Sequence, residues 1–104
     1  MTAPIWLLGC GNMGGALLRR WLADEMGPVA VIDPAPRAVP DGVAVSALPP
    51  AGRPDVLVLA VKPQVWRAAA APFAVIAGPM TLVVSVMAGV TTADLASLFP
   101  HSAI

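Results

Sequence analysis

Apolar residues gather in short unbroken runs divided by polar, glycine or proline punctuation. Residues 5–8, 29–32 and 56–61 are continuous apolar blocks of strand length, and 81–86 is nearly so. A run whose two alternating faces are both apolar suits a parallel strand covered on both sides. Between the first two runs, Leu17, Leu18, Trp21 and Leu22 recur at helical spacing, with Arg19 and Arg20 toward solvent. They predict a helix over about 13–23, stopped by Gly27-Pro28. Asp33 closes the second strand. The text from 38 to 54 is rich in proline, and only 43–45 reads as a short edge strand, with the usual second helix reduced to a turn or loop. After the 56–61 strand, Lys62-Pro63 leads into a helix over about 64–71, kinked by Pro72 or carried on to Ile76, and ended by Gly78-Pro79. Thr91 or Thr92 caps a last helix over about 93–98, with Asp94 in its first turn. Ser102-Ala103-Ile104 reads as the approach to a further strand. The alternation of strands and helices, without internal repeats, predicts an α/β fold with an open, doubly wound parallel sheet of order 3-2-1-4-5.

Composition changes this picture in one respect. The chain has 104 residues, enough for one small domain, yet 58% of them are hydrophobic and the mean hydropathy is +0.80, against about 45–50% apolar in ordinary globular chains. A sheet buried on both faces accounts for part of the excess. Surface that belongs against a partner, in a longer protein, accounts for the rest. Residues 68–90 carry no charge, a length that would span a bilayer, for which about 20 apolar residues are needed. Pro72, Gly78-Pro79, Thr81, Ser85 and Gly89 interrupt it, and its composition turns from alanine-rich to β-branched. A buried helix followed by a buried strand is the better reading, so no membrane partner is expected. Six basic and six acidic residues cancel, and no basic run offers a footprint for nucleic acid. One cysteine excludes an intrachain disulfide. No charged segment precedes an apolar core at the N-terminus, so a cytoplasmic location is expected.

The chemistry centres on Gly9-Cys10-Gly11-Asn12-Met13-Gly14, which follows the first apolar run after Leu8 and opens the first helix. This is G-x-G-x-x-G inside a strand–helix–strand unit, a context that raises a weak motif to a fairly strong one. Gly9 lets the chain leave the strand tightly, Gly11 lets a pyrophosphate approach the backbone, and Gly14 lets the helix pack on the strand. The helix N-terminus adds free N–H groups and partial positive charge. The expectation is a Rossmann-type dinucleotide site, with a glycine-rich turn of no further purpose as the alternative.

Three motifs stand in order: Leu8-Gly9-Cys10-Gly11-Asn12-Met13-Gly14-Gly15, Leu59-Ala60-Val61-Lys62-Pro63-Gln64, and Leu82-Val83-Val84-Ser85-Val86-Met87-Ala88-Gly89-Val90-Thr91. Together they resemble the N-terminal half of pyrroline-5-carboxylate reductase, over essentially the whole chain. The resemblance implies an NAD(P)H-binding domain at 1–104 whose family partner, a C-terminal helical domain that makes the dimer and most of the substrate site, is absent. It implies reduction of 1-pyrroline-5-carboxylate to proline, the last step of proline biosynthesis, in a homo-oligomer. It places the pyrophosphate at Gly9 to Met13 and the adenosine ribose at Asp33 and Pro34. Val61, Lys62 and Pro63, with Ala88 and Gly89, fall at the nicotinamide half. Met87 departs from the alanine usual there and is expected to narrow the nicotinamide pocket. The family's Met-Pro-Asn-Thr-Pro sequence does not occur, so the chain is expected to be a fragment with little or no reductase activity and no catalytic residue of its own, self-associating through an open edge at strand five.

Cofactor choice stays open at this level. A carboxylate at Asp33 accepts from the ribose 2′-hydroxyl of NAD and repels the 2′-phosphate of NADP. Arg37 offsets that repulsion, and the family often uses NADP. As a turn residue before Pro34, Asp33 needs no ligand at all. Lys62 is the only lysine, and packing of its stem at the sheet rim is the plainer reading, with its backbone the cofactor contact. Cys10 is expected to point inward and do no redox chemistry. Asn12 organises the turn or touches cofactor. His101 reads as a surface residue, Trp21 and Trp66 as packing residues, and no metal cluster is apparent. Two other classes compete with the reductase: a non-catalytic dinucleotide-binding module, and another nicotinamide-dependent dehydrogenase of the same fold.

Overall fold

The computed structural model describes residues 4–34, 39–40 and 43–104. Five strands, β1 (Ile5–Leu8), β2 (Val29–Ile32), β3 (Ala44–Ser46), β4 (Val56–Leu59) and β5 (Leu82–Ser85), form one parallel sheet in the order β3-β2-β1-β4-β5. The helices are α1 (Asn12–Ala23), α2 (Trp66–Ala70), which runs into a 3₁₀ turn at Ala71–Phe73, and α3 (Thr92–Leu98). Order and direction match the pattern of the apolar runs. β1 lies at the centre with all four residues buried, paired to β2 through Leu7↔Val31 and to β4 through Leu7↔Val58.

The alternation of side chains across the sheet makes two cores. Ile5, Leu7, Val29, Val31 and Val58 pack with Leu18 of α1, joined by Cys10. Trp6, Leu8, Ile32, Leu57, Leu59 and Val83 pack on the other face with Trp66, Phe73, Leu95 and Phe99. Trp6 meets Phe73 edge to face, with centroids 6.0 Å apart. Trp66 and the partly buried Trp21 are packing residues, as expected. Helices on both faces leave the C-terminal ends of β1, β2 and β4 as the rim where loops gather.

Several element ends move. The first helix stops at Ala23 without help from Gly27. Glu25 takes the left-handed conformation (φ +56), Met26 N–H donates to Trp21 C=O at 2.8 Å and Glu25 N–H to Leu22 C=O at 3.1 Å. That is a Schellman closure with a non-glycine residue at the reversal. Leu22, expected in the apolar stripe, is exposed in the last turn. The second helix keeps only five α-helical residues, because Pro72 cannot donate to the ladder and the chain tightens to 3₁₀. The 68–90 stretch is thereby divided among helix, turn and strand, and no helix among the described residues is long and apolar enough to cross a membrane. Thr91, not Thr92, caps α3. Ala103 bridges Leu82 in parallel, and Val83 N–H donates to Ala103 C=O at 2.8 Å, so the last residues do begin to run beside β5.

Candidate functional site

The turn after β1 is built on two steric demands. Gly9 has φ +93, and a Cβ there would lie 2.7 Å from the Ala60 carbonyl oxygen and 2.9 Å from Val61 Cγ1. A Cβ on Gly14 would collide with the carbonyl oxygen of Gly9. The glycine turn is therefore pressed between the end of β4 and the first turn of α1. Gly9 N–H donates to Ile32 C=O at 3.0 Å, and Ala60 N–H to Leu8 C=O at 2.8 Å, which ties the ends of β1, β2 and β4 together. Gly11 differs from both, since a Cβ there would meet nothing within 4 Å. It also begins α1 with no side-chain cap.

Asp33 completes the turn from the β2 side. Its Oδ2 accepts from Cys10 N–H at 2.7 Å, and its own N–H donates to Ser46 C=O at 2.9 Å. Cys10 is buried among Leu7, Leu18 and Val31, as its inward reading required. Burial first, and the Asp33 carboxylate second, push its thiol up, against a smaller opposing pull from Arg19. A raised thiol pKa keeps it protonated and poorly nucleophilic at neutral pH.

A cleft of about 320 Å³ opens above this turn. It brings together Leu8, Gly9, Cys10, Gly11, Asp33, Pro34, Val61 and Lys62, the residues chosen from strands one, two and four. It does not include all those chosen. Asn12 and Met13 start α1 and are exposed, Gly14 is buried beneath the turn, and Pro63 is exposed past β4. Ala88 and Gly89 form an exposed turn beyond β5, away from the walls of this cleft. Arg37 lies outside the described residues. Met87 is not among the residues that line this cleft. It is only 8% exposed and packs into the core beside Trp66 and Leu95, while its N–H donates to Ser85 Oγ at 3.1 Å.

Four lining residues escape a reading of the sequence: Ile32, Ala60, Val65 and Ala69. Val65 and Ala69 sit four apart around the start of α2, so one face of that helix closes the cleft. In an alanine-rich helix no polar stripe marks which face that is. A second, adjoining hollow of about 270 Å³ shares Leu8, Ile32, Pro34 and Ala69, and adds Ala47, Leu48 and Pro49 from the loop after β3 and Phe73 beneath them.

A family model described as "NADP oxidoreductase coenzyme F420-dependent" matches residues 4–89. No curated protein sequence matches the chain. Among solved structures, a pyrroline-5-carboxylate reductase from Coxiella burnetii is 26% identical and superposes with a TM-score of 0.74, over 95% of this chain and 40% of that one. The Plasmodium falciparum pyrroline carboxylate reductase with NADP bound is 17% identical, with a TM-score of 0.71 over 93% of this chain and 38% of that one, a likeness of fold. The chain thus spans about two fifths of either reductase. The family match runs through the glycine turn, β4 and the turn after β5, and the chain belongs to this family of NADP oxidoreductases, as its Rossmann-type nicotinamide-dinucleotide-binding domain.

Proposed function

We propose that this chain is the cofactor-binding part of an oxidoreductase that reduces 1-pyrroline-5-carboxylate to proline with NADH or NADPH. The observation that carries the reading is the glycine turn itself. Gly9 and Gly14 are needed by the protein's own packing, but Gly11 has open space where a side chain would go. A glycine kept beside open space, at the uncapped start of a twelve-residue helix, suits a ligand that lies against the backbone.

In this reading the residues divide the dinucleotide among them. The N–H groups of Gly11, Asn12 and Met13 take the pyrophosphate, helped by the helix dipole. Asp33 and Pro34 take the adenosine ribose, Arg37 stands near it in sequence, and the apolar hollow beside Leu48 and Phe73 holds the adenine ring. Val61, Lys62 and Pro63 orient the nicotinamide half, with Ala88 and Gly89 as its far rim. Once bound, the dihydronicotinamide supplies the hydride that reduces the C=N carbon of a cyclic imine. This chain's part is to bind and orient. The groups that hold the imine belong to the portion of the reductases that it does not span. The whole enzyme is read as a cytoplasmic homo-oligomer.

Calorimetric titration of the 104-residue chain with NADPH and NADH tests the reading. Saturable binding of at least one is expected, and binding of neither would overturn it. The chain by itself is expected to turn over little or no pyrroline-5-carboxylate, and robust turnover would refute the assignment of the substrate site elsewhere. The family description favours a second reading, in which the dinucleotide exchanges hydride with coenzyme F420. Which of the two acceptors, cyclic imine or F420, consumes NAD(P)H with the longer protein separates them.

A further inference from the structure

We infer that a groove at the end of the sheet opposite the cofactor cleft is a docking site for an acidic, apolar segment of another protein. In this parallel sheet all five strands begin at one end, and the cleft lies at the other, past the ends of β1, β2 and β4. At the beginning end a groove of about 560 Å³ is lined by Arg53 from the approach to β4, by Val75 and Pro79 from the turn before β5, and by Leu98, Pro100 and His101 from the end of α3 and just past it. None of its residues takes part in the cofactor reading. Its walls are tied together. Thr81 Oγ1 donates to Pro54 C=O at 2.8 Å, and Gly78 C=O accepts from Thr81 N–H at 3.0 Å and from Ser102 Oγ at 2.9 Å. Arg53 lies against this frame, since a Cβ on Gly78 would stand 3.1 Å from its Nη1. The groove is thus formed in advance, which spares a partner the entropy of ordering it.

Two features define what the groove takes. Its rim is apolar and open to water. Val75 is 86% exposed and Met80, which follows Pro79, 88%, more than any other large apolar side chain among the described residues. A single such side chain needs no explanation, but two beside a concave site mark a contact surface. Its charge has one sign. Arg53 and His101 line it, and no carboxylate does among the described residues. The ion pairs among those residues are Arg20–Asp24 and Arg67–Asp94, so Arg53 is in neither. The Arg53 guanidinium is a planar fork that holds a carboxylate by two bonds, and His101 adds an imidazole donor. The complement is therefore a carboxylate flanked by aliphatic or aromatic side chains. The apolar rim runs on to Met80, outside the groove itself, which favours a chain segment over a small molecule. The portion that holds the imine has its place at the cleft, so this groove is left to a separate protein.

The test is selection of a phage-displayed random peptide library on the 104-residue chain. The strongest peptide, labelled with fluorescein, is then titrated by anisotropy against wild type, Arg53→Glu, Arg53→Gln and Val75→Ser, each first checked for its circular dichroism spectrum. The selected peptides are expected to carry Asp or Glu beside large apolar residues. Arg53→Glu should weaken binding by about tenfold or more, and Val75→Ser by about threefold. Replacing the peptide's carboxylates with lysine should abolish binding. NADH should not compete, and the longer protein should bind the peptide as the chain does. Should Arg53→Glu fail to fold, Arg53→Gln and Val75→Ser still decide. Failure to enrich any peptide, enrichment of peptides without carboxylates, or unchanged binding by the Arg53 variants would overturn the inference. So would displacement by NADH, which would put the peptide in the cofactor cleft, and loss of binding in the longer protein, whose own further segment would then fill the groove. Capture of the chain by phosphatidylserine vesicles with no peptide selected would assign the surface to a membrane instead.

Discussion

Gly9 and Gly11 stand two residues apart in one turn and are glycines for different reasons. Gly9 answers to the protein, through its positive φ and the backbone of Ala60 against it. Gly9→Ala should therefore cost roughly 2–4 kcal/mol, from left-handed strain plus overpacking, read as a lower urea midpoint. Gly11 has room around it. Gly11→Ala should leave the midpoint nearly unchanged yet weaken dinucleotide binding by about tenfold or more, by placing a methyl group where the pyrophosphate approaches. If both variants lost stability and binding in parallel, the division of labour within the turn would be wrong. A motif shows that three glycines are present, but which serves packing and which serves a ligand depends on what lies beside each one in space. Met87 teaches the same point in reverse. Its bulk in the turn motif suggested an obstructed pocket, whereas its side chain is absorbed by the core and the pocket wall is made by other residues.

At the scale of elements, boundaries are governed by local chemistry that is only partly visible in residue type. α3 carries a full capping box. Thr91 Oγ1 accepts from Asp94 N–H, and an Asp94 carboxylate oxygen accepts from Thr91 N–H, both at 3.0 Å. Thr91→Ala should destabilise the chain by about 1 kcal/mol in urea denaturation. The Thr91 N–H first, and the Thr91 side chain second, hold the Asp94 carboxyl below the usual aspartate range, with a smaller contribution from Arg67. A carboxyl lowered in the folded state binds fewer protons there than in the unfolded chain, so stability rises with pH between the two values. The contribution is complete above the ordinary aspartate pKa and disappears as pH falls through the lowered one. The urea midpoints of wild type and Asp94→Asn should therefore differ at neutral pH and converge in strong acid. The end of α1 was less legible. Gly27 is the obvious stop signal, yet the chain reverses two residues earlier at Glu25. Glu25→Gly should raise stability by about 0.5–1 kcal/mol, because glycine adopts that conformation without a Cβ penalty. No change, or a loss, in thermal unfolding would argue against the strain.

At the scale of the molecule, coverage of the sheet is uneven. β1, β2 and β4 carry buried residues on both faces, and α1 covers the face that holds Leu7, Val31 and Val58. β5 turns only Val83 into the core, and it leaves Leu82 at 41% and Val84 at 36% exposed in register with Val56 and Val58. Ala103 supplies a single rung along its outer edge. An edge strand with exposed apolar side chains and unpaired backbone groups is a template for association. Light scattering should find the chain self-associating with rising concentration, and Val84→Lys should reduce that. A strict monomer at high concentration would refute it.

The sequence alone determined the class of fold and the place of the cleft. Unbroken apolar runs admit little besides a parallel sheet buried on both faces, and a glycine turn between the first run and an amphipathic helix marks the cleft at the carboxyl end of β1. These are short-range properties, carried by neighbours a few positions apart. Tertiary structure decided which of the chosen residues meet. Asp33 reaches the Cys10 N–H across 23 positions only because β2 lies beside β1 in the register Leu8↔Ile32. Val65 and Ala69 become a wall of the cleft only because α2 packs, through Trp66 and Ala70, on the sheet face that carries Leu8 and Leu59. Ala88 and Gly89, equally prominent in the motifs, fall outside it because β5 is separated from β1 by β4. Periodicity sets which face of an element is apolar, but the partner of each side chain follows from register and packing, which no local pattern encodes.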